Sequence, residues 1–169
     1  KNTDRQYFEL LIESLEKHQI DISIEKEFTT ILEGLGVQNI KYPTFSKKEK
    51  LDTSIDLLFT LGGDGTILSA ATLVKDLGIP ILGINTGRLG FLATVQKKEI
   101  ENTVKALVEK NYTLQERAVL QIESNSGNYT FDNLNFALNE ITIARKSSTS
   151  MIGVEAYLND EYLTTYWSD

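Results

Sequence analysis

A chain of 169 residues with 41% apolar content can bury one sizeable core, or one core and part of another. The net charge of −7, with no basic stripe in view, argues against a nucleic-acid partner. No apolar run approaches the length of a membrane span, and the absence of cysteine removes disulfides and thiolate metal sites and suits a cytoplasmic protein.

In chain order, Thr3 and Gln6 have the spacing of a capping box, and Phe8, Leu11, Ile12 and Leu15 line one face of a first helix. His18, the only histidine, stands near the end of that helix as a C-terminal cation. Ile20, Ile22 and Ile24 alternate with polar residues, as a half-exposed strand does. Phe28, Ile31, Leu32 and Leu35 mark a second helix, stopped by Gly34 and Gly36. Residues 41–54, with Pro43 and mixed charges, read as a loop leading into a buried strand over 55–60. A helix follows from about Thr66, with Ile67, Ala70, Ala71, Val74 and Leu77 at helical spacing. A second buried strand spans 79–84, and strand, helix and strand in that order predict a parallel sheet with right-handed crossovers. Residues 97–110 predict one more helix.

Beyond Tyr112 the texture changes. Short strand-like runs at 118–122, 135–143, 154–158 and 162–167, separated by turns at 124–128 and 158–161, predict antiparallel β structure. A domain boundary falls near Arg117, giving an α/β domain over residues 1–116 and a β-rich part over 117–169. Both ends read as cut: no strand precedes the first helix, and the β-rich part stops without a closing turn.

The chemistry concentrates between the first buried strand and its helix, in Gly62-Gly63-Asp64-Gly65-Thr66. Glycines at such a turn let a ligand approach the amides, and a helix N-terminus offers free N–H groups and partial positive charge to a phosphate. A carboxylate there fits a base for a hydroxyl nucleophile or a holder of a metal ion, and both point to phosphoryl transfer. Read alone, Asp64 is at least as consistent with a helix N-cap. The spacing matches neither the dinucleotide fingerprint nor the P-loop.

Three further stretches are Gly83-Ile84-Asn85-Thr86-Gly87-Arg88-Leu89-Gly90-Phe91-Leu92, the pair Asn139-Glu140, and Trp167-Ser168-Asp169. In this order and spacing the chain resembles the NAD kinase family, in its bacterial style, over essentially its whole length. The resemblance implies a parallel-sheet nucleotide-binding domain followed by the start of an all-β, sandwich-like domain that binds the dinucleotide. It implies transfer of a phosphoryl group from ATP, or polyphosphate, to the 2′-hydroxyl of the adenosine ribose of NAD, giving NADP. Asp64 matches the family's catalytic base, and Asp64 and Gly65 its nucleotide-contacting pair. Gly62, Gly63, Gly65 and Thr66 form the phosphate loop. Asn139 and Glu140 match the dinucleotide-binding pair, and Asp169 opens a further binding motif whose continuation is absent. Mg²⁺ as the divalent metal, a homo-oligomer (dimer or tetramer) and a cytoplasmic setting are implied too, with no membrane or nucleic-acid partner.

Several residues near these motifs have humbler readings. Leu89, Phe91 and Leu92 read as packing that docks their loop, and Arg88 as a solvated or carboxylate-paired cation. Arg145 and Lys146 are read equally as phosphate contacts or as a solvated strand end. Tyr157, Tyr162, Tyr166 and Trp167 read as sheet packing. Two rival functions stand beside the kinase of NAD. A diacylglycerol-type lipid kinase shares the glycine-aspartate loop, but this chain has no basic amphipathic helix for a membrane surface. A non-catalytic nucleotide-binding module is the other.

Overall fold

A computed structural model describes residues 2–88, 90–125, 134–146 and 150–168. Leu89, Asp169 and residues 126–128 of the expected turn lie outside the described residues. The chain divides into two compact units, residues 1–117 and 118–169.

The first unit is built around two adjacent parallel strands, β3 (Leu58–Gly62) and β4 (Ile81–Asn85). Two shorter strands, β1 (Ile24–Glu25) and β2 (Thr44–Phe45), form a second parallel pair. The alternation at 20–24 thus yields only two residues of ladder, and the segment read as a loop at 41–54 contains β2, because Thr44 and Phe45 are the partners that β1 finds.

Alternation along β3 and β4 sends side chains to two faces. Phe59, Leu61, Leu82 and Ile84 meet helix α1 (Asn2–Lys17) and helix α4 (Ile100–Val108), where Leu11, Leu15, Ile100 and Val104 are buried. On the other face, Leu58 and Ile81 pack with Val74 of helix α3 (Asp64–Val74), and with Ile79 and Leu51. Helices on both faces of parallel strands are the α/β arrangement expected from the sequence. Leu32 of helix α2 (Lys26–Gly34) closes a third cluster with Phe8 and Ile24, and Phe8 meets Phe28 edge-on.

The helix ends differ from the sequence reading in instructive ways. Helix α1 already includes Asn2, so Thr3 sits inside the first turn, and Gln6 accepts a bond from Lys97 Nζ at 2.7 Å. Helix α2 is capped by Glu25, whose carboxylate accepts the N–H groups of Glu27 and Phe28 at 2.9 and 2.8 Å. Gly34 is its last residue rather than its stop. The stop is Gly36, at φ +84°, where the N–H groups of Gly36 and Val37 return to the carbonyls of Glu33 and Leu32. Ahead of α4, Gln96 and Glu99 form a capping box around a single 3₁₀ turn, Lys97–Glu99. Tyr42 donates to Glu16 at 2.6 Å, tying the approach to β2 onto α1, and that bond pushes the phenol up to about 12.

The second unit holds two antiparallel pairs. Strands β5 (Leu120–Gln121) and β6 (Phe136–Ala137) make the first. The strand expected over 135–143 stops at Ala137, because β5 offers two residues of ladder and then ends. Strands β7 (Ile152–Leu158) and β8 (Glu161–Ser168) make the second, joined through Asn159 and Asp160, both at positive φ as a type I′ turn requires. A register shift between Ala156 and Tyr157 leaves Leu163 as the extra residue of a bulge. No described residue of this unit is buried. Tyr157 and Tyr162 meet edge-on with ring centroids 5.5 Å apart and the Trp167 ring lies over Gly153, so these rings pack across the hairpin while Tyr157, Tyr162, Tyr166 and Trp167 each stay more than half exposed.

Candidate functional site

Strand β3 ends at Gly62, Gly63 is the N-cap of α3, and Asp64 is the first residue of that helix. The helix thus begins two residues earlier than the periodicity predicts. The capping position goes to Gly63, which makes no side-chain cap bond. Gly62 sits at φ +155°, a conformation that side-chain-bearing residues rarely adopt, and a Cβ there would collide with the Thr66 side chain. Gly63, Gly65 and Thr66 are exposed at the same end of α3.

Asp64 is freed from capping, and its carboxylate reaches across to the loop that follows β4. Phe91 donates its N–H to Oδ2 at 2.8 Å, and Leu92 and Ala93 donate theirs to Oδ1 at 2.9 and 3.0 Å. The contact brings together two of the motifs that carry the resemblance, at the carboxyl ends of two adjacent parallel strands. That is where open α/β sheets place their ligands.

The loop itself is ordered by Asn85, buried at the end of β4. Its Nδ2 donates to the carbonyls of Arg88 and Ala93 at 2.9 and 3.2 Å, and its Oδ1 accepts the N–H of Gly87 at 2.8 Å. Its own N–H goes to the carbonyl of Val95 at 2.8 Å, so the chain returns alongside β4 after the loop. Gly90 is where the carboxylate comes closest: a Cβ there would overlap both its oxygens and Cγ. Phe91, expected to dock the loop by packing, is 92% exposed, because docking runs through its N–H instead.

Donation from Ala93, then Phe91 and Leu92, holds the Asp64 carboxyl below its ordinary 3.8, with a smaller contribution from the charge of Arg117. With the folded value depressed, the contact contributes stability above the ordinary carboxylate value and loses it as pH falls through the depressed one. The amide signals of Phe91, Leu92 and Ala93 should therefore titrate together with a midpoint below pH 3.8. An Asp64→Asn variant should abolish that transition; amides that move together at a higher pH would contradict the geometry.

Beside the loop lies a cavity of about 430 Å³ lined by Tyr7, Asn85, Gly87, Gln96, Lys97 and Lys98. Lys97 stands over the Tyr7 ring at 5.6 Å. Among the described residues no group of three or more His, Asp or Glu is arranged to hold a metal. Asn139 and Glu140 belong to the second unit, just past β6, exposed and within 3.4 Å of one another. Arg145 and Lys146 follow in the same unit, and Asp169 lies outside the described residues. The sequence reading missed the three loop amides, Gly90 as the point of closest approach, and Asn85 as the organiser of the loop.

Residues 2–112 match the family model of the ATP-NAD kinase N-terminal domain. The NAD kinase of Christiangramia forsetii is 46% identical over 164 residues, covering 97% of this chain and 56% of that protein. The NAD kinase of Flavobacterium psychrophilum is 49% identical over 156 residues, covering 92% of this chain and 53% of that protein. The chain spans about half the length of the curated relatives it matches. A crystal structure of yeast NADH kinase complexed with NADH has a TM-score of 0.74 at 20% identity, covering 98% of this chain and 51% of that one, a likeness of fold.

Proposed function

The chain belongs to the ATP-NAD kinase family, and from that premise we propose that the protein transfers a phosphoryl group from ATP to the 2′-hydroxyl of the adenosine ribose of NAD. The observation that carries this reading is the Asp64 carboxylate, placed between the β3–α3 turn and the loop after β4. There a ribose hydroxyl and a phosphate can approach the same carboxylate. Asp64 acts as the general base on that hydroxyl, which is otherwise a poor nucleophile.

Gly62, Gly63, Gly65 and Thr66 bring the start of α3 close to the donor phosphates, and Lys97 and Lys98 supply cations from the neighbouring cavity. Magnesium enters as part of the donor, held chiefly by substrate phosphates and water. Polyphosphate is a second donor of the same chemistry. Asn139 and Glu140 present donors and acceptors together, suited to ribose hydroxyls and adenine edge nitrogens. With Asp169 they bind the dinucleotide, in a β-rich, sandwich-like domain over 117–169 that mediates a homo-oligomer in the cytoplasm. No helix of the described residues is long and apolar enough to cross a membrane. The lipid-kinase alternative draws no support from the family matched.

The test is NADP formation from NAD, ATP and Mg²⁺ by the protein. Turnover is expected with ATP, and a second assay with polyphosphate defines the donor range. Binding of NAD without any turnover would favour the non-catalytic module instead.

A further inference from the structure

Phe91, Leu92 and Ala93 present three consecutive N–H groups to a single carboxylate. Successive amides that converge in a bend form a concavity for an anion, and the partial charges add without any cationic side chain. Gly90 completes the concavity: the space in front of its Cα is the space the Asp64 carboxylate fills. The cradle does not depend on Asp64 alone. Asn85 holds the carbonyls of Arg88 and Ala93, and Thr86 reaches the carbonyl of Gly62 at 3.4 Å, so both sides of the loop are fixed independently.

The occupant is the one side chain that the kinase reading needs elsewhere. A carboxylate whose oxygens accept three N–H bonds has little basicity left for a substrate hydroxyl. The donor groups that hold it are of the kind that stabilise charge on a transferring phosphoryl group. A phosphate oxyanion carries the same sign of charge and offers tetrahedral oxygens to the same three donors. Both anions cannot occupy the cradle together, so arrival of one and departure of the other are coupled.

We propose that the amides of Phe91, Leu92 and Ala93, in front of Gly90, are a binding site for phosphate oxygens, and that Asp64 fills it as a placeholder until a phosphate displaces it. Displacement frees the carboxylate to turn toward the hydroxyl. This deepens the kinase reading and rests on it for the role of Asp64. The site takes the oxygens of a phosphate monoester or anhydride, from the donor end or the product end of the reaction.

The test is a titration with inorganic phosphate, at constant ionic strength, of the protein carrying ¹⁵N-labelled phenylalanine and alanine. A site that is open only part of the time binds with an affinity reduced by that fraction. In the wild type the Phe91 and Ala93 amides should respond weakly. In Asp64→Ala they should show a saturable shift with apparent Kd at least ~10-fold lower, as expected if the carboxylate leaves the cradle open less than about a tenth of the time. Adding Gly90→Ala to that variant should abolish the shift, because the new methyl fills the vacated space. Amides that do not respond in Asp64→Ala overturn the proposal, as does equal affinity with and without the carboxylate.

Asp64→Asn keeps the size of the side chain, removes its charge and reads in the same direction, so misfolding of the alanine variant does not remove the test. Tripolyphosphate and adenosine 2′-monophosphate, titrated in the same way, tell the donor end from the product end. The outcome is independent of turnover. Phosphate binding at these amides in a protein that makes no NADP would keep the cradle and discard the kinase reading; turnover with silent amides would do the reverse.

Discussion

Asp64→Asn is expected to lower kcat for NADP formation at least ~10²-fold, the smaller end of what a positioned general base contributes. That factor corresponds to about 2.7 kcal/mol of activation free energy. The substitution is nearly isosteric, but it changes two things at once. The amide cannot take the proton from a ribose hydroxyl. It also places an NH₂ group where one carboxylate oxygen now accepts an N–H, of Phe91 at Oδ2 or of Leu92 and Ala93 at Oδ1. Donor would then face donor, so the loop loosens too. The two losses separate in the kinetics. Loss of the base falls on kcat and removes the acidic limb of its pH profile, whereas a loosened loop raises KM and leaves the limb in place. Turnover that survives the substitution would keep the kinase and remove Asp64 as its base.

What the sequence made legible was whatever local periodicity controls. Leu11 and Leu15 in α1, and Ile100 and Val104 in α4, repeat at helical spacing and are all buried. Strand limits were less legible, because a strand ends where its partner ends. Strand β3 runs on to Gly62 because Asn85 of β4 lies opposite, and β6 stops at Ala137 because β5 does. The centre of the site was visible as a glycine-aspartate turn, but its geometry was not. Asp64 bonds to residues 27 to 29 positions away, and it does so through backbone N–H groups that every non-proline residue carries. Gly90 was the one letter of the loop's side of that contact visible in the sequence, and a loop glycine marks a turn as readily as a close approach. Phe91 misled for the same reason: its side chain suggested packing while its amide makes the contact.

Gly62→Ala should be among the most destabilising single substitutions in the first unit, costing roughly 2–6 kcal/mol. Two independent terms add. Holding alanine at φ +155° places an L-residue in a region that is essentially reserved for glycine, worth ~1–3 kcal/mol. The new Cβ would also collide with Thr66 Oγ1 and lie 3.1 Å from Thr66 Cβ, an overpacking worth ~1–3 kcal/mol more. Rotation of the threonine side chain relieves the first contact but not the second, since Cβ is fixed by the helix backbone. A fall in Tm of roughly 10–20 °C is expected for a unit of this size. Thr66→Ala in the same background should return only the Oγ1 part of the loss, because neither the backbone term nor the Cβ contact depends on the hydroxyl. A double-mutant cycle on denaturant midpoints measures that coupling directly. Full rescue by Thr66→Ala would mean that the backbone at Gly62 is free to relax, and that the glycine serves only to make room at the start of α3. No rescue would place the whole cost in the backbone and the contact with the residue 66 Cβ, and none in the hydroxyl. Partial rescue fits the geometry of the turn: the chain must reverse between Gly62 and Asp64 while Thr66 packs back on the reversal, which sets Asp64 at the head of the helix facing the loop amides.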